Sequence, residues 1–462
     1  MKKRNVIKKA FAFVLTIVLL LSVWLPASAA TEKTKVVLTL GDLLEYQDGV
    51  NWSTHMMYAD GKMAYCVNPR LPAPEGTFVT TENNCMELTT SFKNYQLLVN
   101  ALYYGYGGDG FTKSVSAFQT SNHTYAGNTM SSFMGNLREK YWLTARGSEL
   151  HYLMTHRVLA YIYGDEDWNY ALPQDWQSAI LEIVAALRKA PAAPNTTRLY
   201  ILDTGRSSYQ KVILAKDLIK LQLQKESANK ELTDGNSCYS LAGARYNIYL
   251  DKACTDYFGY ITTNASGFGK YGAGTNGADV PLQTYYAKEV TAPPGYALDN
   301  QVYTFKNSGK SVGNIPIYSF TCEDKPQNDP VTILLKKVDK NGKGLPGAEF
   351  TIRYYSGLYS TQSELSSKTP ERSWVFKTDS DGFISYDKSY LVSGDEFYYV
   401  SGYESLPLGT ISIQETKAPD GYIIDSTPVI RQITSSTSTT DVIHTYNAPE
   451  ISNDPDPGTI RI

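Results

Sequence analysis

At roughly one domain per 150 residues, a chain of 462 residues has room for about three domains. Hydrophobic residues at 42% with charged residues at 19% make a globular composition, which excludes wholesale disorder and a collagen-like rod. The formal charge of −3 argues against a general nucleic-acid binder, and five cysteines without a CxxC pair give neither a disulfide scaffold nor a zinc knuckle.

In chain order, residues 1–29 read as a secretory signal peptide. Lys2, Lys3, Arg4, Lys8 and Lys9 form a basic start, Ala10 to Leu25 is an apolar run of 16, and Ala27-Ser28-Ala29 supplies small residues for cleavage. The alternative, an uncleaved anchor, meets the objection that a spanning helix needs ~20 apolar residues. Removing the five cations takes the charge from −3 to −8, so the mature chain is exported and acidic.

Residues 30–213 have mixed α/β texture. The spacing predicts a helix over 148–163, with Leu150, Leu153, Met154, Val158 and Tyr161 on one stripe, Ser148 as N-cap and Gly164 past the end. A second helix starts at Pro173, buries Trp176, Ile180, Ile183, Val184 and Leu187, and ends before Pro191. After residue 214 short alternating runs broken by Gly, Pro, Asn and Asp predict antiparallel β-sandwiches.

This second half repeats itself. Leu241-Ala242-Gly243-Ala244-Arg245-Tyr246 returns as Leu345-Pro346-Gly347-Ala348-Glu349-Phe350, and the stretch from Glu289 to Tyr296 returns as Glu415 to Tyr422. Two tandem domains follow, 214–329 and 330–449, with 450–462 left as a linker and the start of a further repeat. Strand parity then sorts the charged residues. Lys225 shares a face with Ile219, Leu221 and Leu223, and Lys337 shares one with Val331, Ile333 and Leu335. Glu289 falls with Tyr285 and Ala287, and Glu415 with Ile411 and Ile413. Asp324 falls with Tyr318, Phe320 and Cys322, and Asn447 with Ile443 and Thr445. Each sandwich is thus expected to hold one inward Lys, one inward Glu and one inward Asp or Asn.

Unpaired burial of such groups costs several kcal/mol. Desolvation lowers a lysine pKa and raises a glutamate pKa, so a buried trio can hold a nucleophilic amine beside an acid able to shuttle protons. The product is an isopeptide bond, with loss of water at Asp324 or ammonia at Asn447. The plain alternative is a lysine that snorkels to its strand's edge and merely pairs with the Glu.

The repeat resembles the Cna protein B-type, or SpaA-type, prealbumin-like domain of Gram-positive pilins and adhesins, through its L-x-G-A-x-F and E-T-x-A-P-x-G-Y stretches. The resemblance implies Glu289 and Glu415 as catalytic residues, with isopeptide bonds joining Lys225 to Asp324 and Lys337 to Asn447. The first copy departs in having Glu226-Ser227 after its lysine, where the second has Val338-Asp339. Residues 30–213 resemble the thioester domain that heads many such surface proteins, in Ala64-Tyr65-Cys66-Val67-Asn68-Pro69, in Leu102 to Gly108, and in Leu153-Met154-Thr155-His156. There the family acylates its Cys with a Gln that follows the Thr. This chain has His156 at that place, and imidazole has no carbonyl to donate.

Three readings of Cys66 and His156 stand open. Another glutamine such as Gln119 supplies the acyl group; the His activates the Cys in a Cys/His acyl-transferring enzyme of hydrolase or transpeptidase type; or the head keeps the fold around a buried Cys and binds without a covalent bond. A metal site is not expected, since His151 and His156 lie about 140° apart around a helix. No cofactor is expected either. Cys238 and Cys254 flank a strand that holds them beyond disulfide reach, and Cys85 and Cys322 have no evident partners.

The expectation is a multidomain, secreted, wall-attached adhesin or pilus-tip subunit: a thioester-domain-like head on two isopeptide-stapled β-sandwiches. Its partners would be a host-surface protein or glycan and other pilus or cell-wall components, with no nucleic acid and no membrane beyond the leader. Tyr103 to Tyr106 offer a binding surface or simply aromatic packing. A plain structural pilin is the other alternative. The sequence shows no sorting signal, and Asn453-Asp454-Pro455 echoes Asn328-Asp329-Pro330, so the chain is expected to be part of a longer protein.

Overall fold

The computed structural model describes residues 35–46, 53–67, 71–79, 85–120, 124–165, 172–203, 209–437 and 439–458; the expected leader lies outside them, as do Asn68 and Pro69. Two compact units result. The first takes the chain up to Leu218 together with Val280–Gln283, and the second takes Ile219–Asp279 and everything from Thr284. The boundary expected at residue 214 falls inside a single long strand, Val212–Ser227.

The first unit is an antiparallel sheet with helices. Its strands are β1 (Lys35–Glu45), β2 (Ser53–Ala59), β3 (Lys62–Cys66), β4 (Gly76–Val79), β5 (Cys85–Glu87), β6 (Thr197–Leu202) and the first part of β7 (Val212–Ser227), in the order β4-β1-β2-β3-β7-β6-β5 and antiparallel throughout. Four α-helices stand in the described part: α1 (Tyr95–Tyr104), α2 (Met130–Lys140), α3 (Gly147–Tyr163) and α4 (Gln174–Lys189). α4 buries the expected stripe and has Pro173 at its N-cap. α3 begins one residue earlier than Ser148: Gly147, at φ +55°, makes the entry turn, so the N-cap falls to Arg146. Buried side chains lie nearly all round α3, from Leu150 to Ile162. A central helix of that kind must find partners for every polar group it carries.

The second unit holds the two sandwiches. In the first, one sheet joins β7 antiparallel to β10 (Phe268–Lys270) and parallel to β14 (Ile315–Asp324), which also pairs with β13 (Lys306–Val312). The facing sheet runs β12-β11-β8-β9, from β8 (Arg245–Tyr249), β9 (Tyr257–Thr262), β11 (Tyr286–Thr291) and β12 (Val302–Thr304). The second sandwich repeats the plan. β15 (Leu335–Asp339) lies between β18 (Phe383–Ile384) and, in parallel, β22 (Glu450–Asn453). Its facing sheet runs β19-β17-β16-β20-β21, from β16 (Glu349–Tyr355), β17 (Arg372–Lys377), β19 (Leu391–Gly394), β20 (Gly409–Lys417) and β21 (Val429–Ile433). Residues 450–453, expected as linker, are therefore the closing strand of the second sandwich. Strand parity fails at Ile333, which is 42% exposed because β15 begins only at Leu335, after a connection in which Val331 takes φ +38°.

The sandwiches share a joint. A loop of the first, 228–240, carries Leu232 and Tyr239 into the apolar core of the second, beside Val331, Tyr354 and Leu408. Asn236 Nδ2 donates to Tyr354 Oη at 2.8 Å and to the Leu408 carbonyl at 2.9 Å. The Tyr239 hydroxyl donates to the Gln327 carbonyl at 2.6 Å and accepts the Leu408 N–H at 2.8 Å. The connection itself is tied down: Asn328 bonds Ser405, and Asp329 Oδ2 accepts the Thr445 and Tyr446 N–H groups at 2.8 and 3.0 Å. Removing the Tyr239 hydroxyl strands a buried donor and a buried acceptor, at about 1–3 kcal/mol. Tyr239→Phe is expected to lower the denaturant midpoint of the second sandwich, followed by buried Trp374, although the altered residue belongs to the first; an unchanged midpoint would show that the joint contributes nothing.

Candidate functional site

The long apolar face of β7 ends in Lys225, whose Nζ has no solvent-exposed surface and lies 2.7 Å from Glu289 Oε1 and 2.5 Å from Asp324 Oδ1. The lysine comes from the first strand of the sandwich, the aspartate from the last and the glutamate from the facing sheet. Parallel pairing sets Cys322 opposite Lys225 and Asp324 opposite Ser227, so Asp324 is two residues past its counterpart and on the same face. The Tyr246 hydroxyl, 2.8 Å from Nζ, completes the lysine's surroundings and contacts Cys322 Sγ at 3.2 Å. Burial raises the pKa of Glu289, against the lowering effect of Lys225, and pushes Asp324 up to about 7. Asp324 Oδ1 meets the lysine and Oδ2 has no hydrogen-bond partner of its own, so the buried acid is incompletely satisfied.

The second trio has the same construction with one substitution of position. Lys337 Nζ, also fully buried, is 3.1 Å from Glu415 Oε1 and hydrogen-bonds Oδ1 of Asn453. Asn453 Nδ2 reaches Glu415 Oε1 and Oε2 at 2.9 and 3.0 Å. Asn447, the expected partner, is exposed, and its carbonyl accepts from Arg431. The reason is register: β22 sets Ile451 opposite Lys337 and Asn453 opposite Asp339, so Asn453 occupies the place that Asp324 has in the first copy. The sequence carried the signal in Asp324-Lys325-Pro326 and Asn453-Asp454-Pro455, since Pro326 bridges Tyr296 as Pro455 bridges Tyr422. Asn453 corresponds to Asp324 and not to Asn328, which stands four residues further on. Burial lowers the Lys337 pKa toward the neutral amine, with Glu415 acting against it. Its ring neighbour is Phe350, 5.7 Å from Nζ, where the first copy has Tyr246.

In the head, Cys66 closes β3 and His156 lies in the middle of α3, both without exposed surface. Cys66 Sγ is 2.6 Å from His156 Nε2, and the Tyr46 hydroxyl is 2.5 Å from Nδ1. Burial holds the His156 pKa well below its ordinary value, aided by the charge of Arg157. A neutral imidazole has one N–H, so one ring nitrogen donates and the other accepts, and the trio can be satisfied without charge separation. Tyr46 was not legible as a partner, because no spacing or motif connects it to α3. Gln119 ends a short 3-10 turn on the surface, and nothing brings it to Cys66.

Thr155 ties the glycine-rich loop after α1 to the helix that carries His156. Its Oγ1 accepts the Tyr106 N–H at 3.0 Å and donates to the His151 carbonyl at 2.8 Å, while the Tyr65 hydroxyl bonds the Tyr106 carbonyl. Gly107, at φ +81°, lies so close to Met63 that a Cβ would come within 2.4 Å of its Cγ. A recess beside this loop is lined by Lys62, Tyr65, Tyr103, Tyr106 and Asp217. All five cysteines are free thiols.

Because His156 is neutral in the fold but titrates near 6.5 once unfolded, the unfolded chain binds the extra proton as pH falls below about 6.5. Stability of the head should then fall with decreasing pH by up to about 1.4 kcal/mol per unit from this group, and be unaffected above. Hydrogen exchange of α3 peptides in the whole chain between pH 5 and 7.5 checks this: His156→Gln is expected to show the shallower dependence, and identical slopes would mean that the imidazole is already charged when folded.

Comparison with known proteins agrees with the two-part construction. Residues 35–194 match the thioester domain family, and residues 227–316 and 331–447 match the SpaA prealbumin-like fold domain. No curated protein matches the chain. Among solved structures, the TIE protein of Bacillus anthracis is 16% identical, with 91% of this chain and 84% of that one covered at a TM-score of 0.32. A C-terminal fragment of the pilus adhesin SpaC of Lactobacillus rhamnosus GG is 17% identical, with 51% and 98% covered at 0.26. The major pilin subunit BcpA of Bacillus cereus is 13% identical, with 52% and 100% covered at 0.17. At these values the family matches carry the assignment: the chain joins a thioester-family head to two SpaA-type prealbumin-like domains.

Proposed function

We propose that the chain is a Gram-positive cell-surface adhesin or pilin-type subunit whose two prealbumin-like domains are each closed by an intramolecular isopeptide bond, Lys225 to Asp324 and Lys337 to Asn453. The observation that carries the reading is the repeated trio, with a fully buried lysine facing a glutamate and an acyl group on the paired first and last strands. In the second copy the neutral amine attacks Cγ of Asn453. Glu415 takes a proton from the attacking nitrogen and gives one to the amide nitrogen, which leaves as ammonia; Nδ2 already lies against that carboxyl. In the first copy the same steps at Asp324 release water, and an acid pushed up to about 7 retains its proton to a higher pH than an ordinary aspartate. Each reaction removes a buried ionisable pair.

The function of the staples is mechanical. A bond between first and last strands carries tension past the sandwich, and unfolding under force is governed by a rate that such a shunt suppresses. The thioester-family head, with His156 where the acyl donor is expected, is read as binding a surface protein or glycan without a covalent bond. Its dry, neutral Cys66–His156 pair acts as an internal tie and not as an acyl-transferring centre. Other pilus or wall components are the remaining expected partners. Among the described residues no helix is long and apolar enough to cross a membrane.

Intact mass tests the stalk. The protein is expected to be lighter than its sequence by about 35 Da, about 18 for water and about 17 for ammonia. Asn453→Ala should abolish only the ammonia loss, Asn447→Ala should change neither, and Glu415→Ala should leave Lys337 free. A wild-type mass equal to the sequence value overturns both bonds.

A further inference from the structure

Each glutamate of the two trios has its second oxygen held by the same device. Glu289 Oε2 accepts the backbone N–H of Asp299 at 2.7 Å, and Glu415 Oε2 accepts that of Asp425 at 2.9 Å. The donor stands ten residues after its glutamate, at the same place in a repeated stretch: Gly295-Tyr296-Ala297-Leu298-Asp299 and Gly421-Tyr422-Ile423-Ile424-Asp425. Each aspartate also folds its side chain onto the backbone two residues on. Asp299 Oδ1 accepts the Gln301 N–H at 2.9 Å, and Asp425 Oδ1 accepts the Thr427 N–H at 3.0 Å. An Asx turn of this type fixes the local backbone, and with it the direction of the aspartate's own N–H. In the first copy the Tyr303 hydroxyl, 2.5 Å from Asp299 Oδ2, holds the side chain further.

We propose that Asp299 and Asp425 are positioning residues for the cross-linking reactions, aiming a backbone N–H at Oε2 so that each glutamate's carboxyl is held with Oε1 toward the lysine. This deepens the isopeptide reading and rests on it. A backbone N–H fixed at Oε2 pins the rotation of the carboxyl and leaves Oε1 turned to the amine. Oε1 is the oxygen 2.7 Å from Lys225 Nζ and 3.1 Å from Lys337 Nζ, within reach of proton transfer. A carboxyl free to rotate would spend part of its time with Oε1 turned away from the reacting atoms.

The two copies separate this role from a structural one. Asp425 is exposed and Asp299 half-buried, so neither contributes core packing whose loss would unfold a domain. Asp425→Asn keeps the turn-capping oxygen and removes the charge; Asp425→Ala removes both. The measurement is the time course of the about 17 Da loss in freshly synthesised, cell-free-translated full chain, read by intact mass, with Asp299→Asn and Asp299→Ala followed at the water loss. The expected result is bond formation in the Asn variants within a few-fold of wild type and at least about tenfold slower formation in the Ala variants. Ala variants as fast as wild type overturn the proposal, as do Asn variants as slow as Ala, which would assign the effect to charge. If wild type itself shows no mass loss, the isopeptide reading fails first and this one with it.

Discussion

The structure turns on a lysine ammonium group placed where water cannot reach it. A buried charge costs several kcal/mol unless excellent partners surround it, and even a well-made buried ion pair rarely exceeds in stability the apolar packing that could replace it. Holding two such lysines, each at the end of an apolar strand face, makes little sense as a device for equilibrium stability. It makes sense where the charge is temporary. The parallel pairing of first and last strands serves the same requirement, because it brings an acyl group on the last strand, two residues past the lysine's own counterpart, onto the lysine's face.

Much of this was legible in the sequence because strand alternation is a strong local signal. Lys225, Glu289, Asp324, Lys337 and Glu415 lie on faces that period-two reading assigns correctly, since each belongs to a strand of at least five residues. The reading failed where no strand exists. Asn447 lies in an irregular segment, and Ile333 in a connection that precedes its strand, so neither has a face to share. Parity says nothing about where a strand begins. The closing strand, four residues long and placed after a proline-containing stretch, has too little alternation of its own to be found without its partner β15.

The head shows a different limit. Helices α3 and α4 were readable from their stripes, whereas α2 is weakly apolar and is capped by a Thr129–Ser132 exchange in place of the more visible Ser or Thr with Glu. The approach of Cys66 to His156 followed from family resemblance, since 90 residues separate them. What resemblance did not supply was the third member, Tyr46, which gives the imidazole a second partner. With both ring nitrogens occupied and its charged form disfavoured, the position is filled by a polar network that includes Tyr46, His156 and Cys66. Such a network joins β3 to α3 across the point where a covalent link is the family's expectation.

Mechanical consequences follow from where the proposed staples sit relative to the joint. A bond from Lys225 to Asp324 takes the chain between them out of the load path, and that shielded chain includes Leu232, Asn236 and Tyr239, the residues docked into the second sandwich. Tension would instead pass through the stretch from Lys325 to Lys336, the only backbone between the two staples that no covalent bridge spans. At about 3.3–3.6 Å per residue these roughly twelve residues are the chain's main reserve of extension between the domains. That is also where the molecule concentrates buried polar contacts: Gln327, Asn328 and Asp329 are 2% exposed or less and are held by Ser436, Asp441, Ser405, Thr445 and Tyr446. Buried polar contacts thus gather in the segment that the proposed staples would leave unprotected, and the plug from 228–240 would keep the second sandwich's core closed while that segment bears the pull.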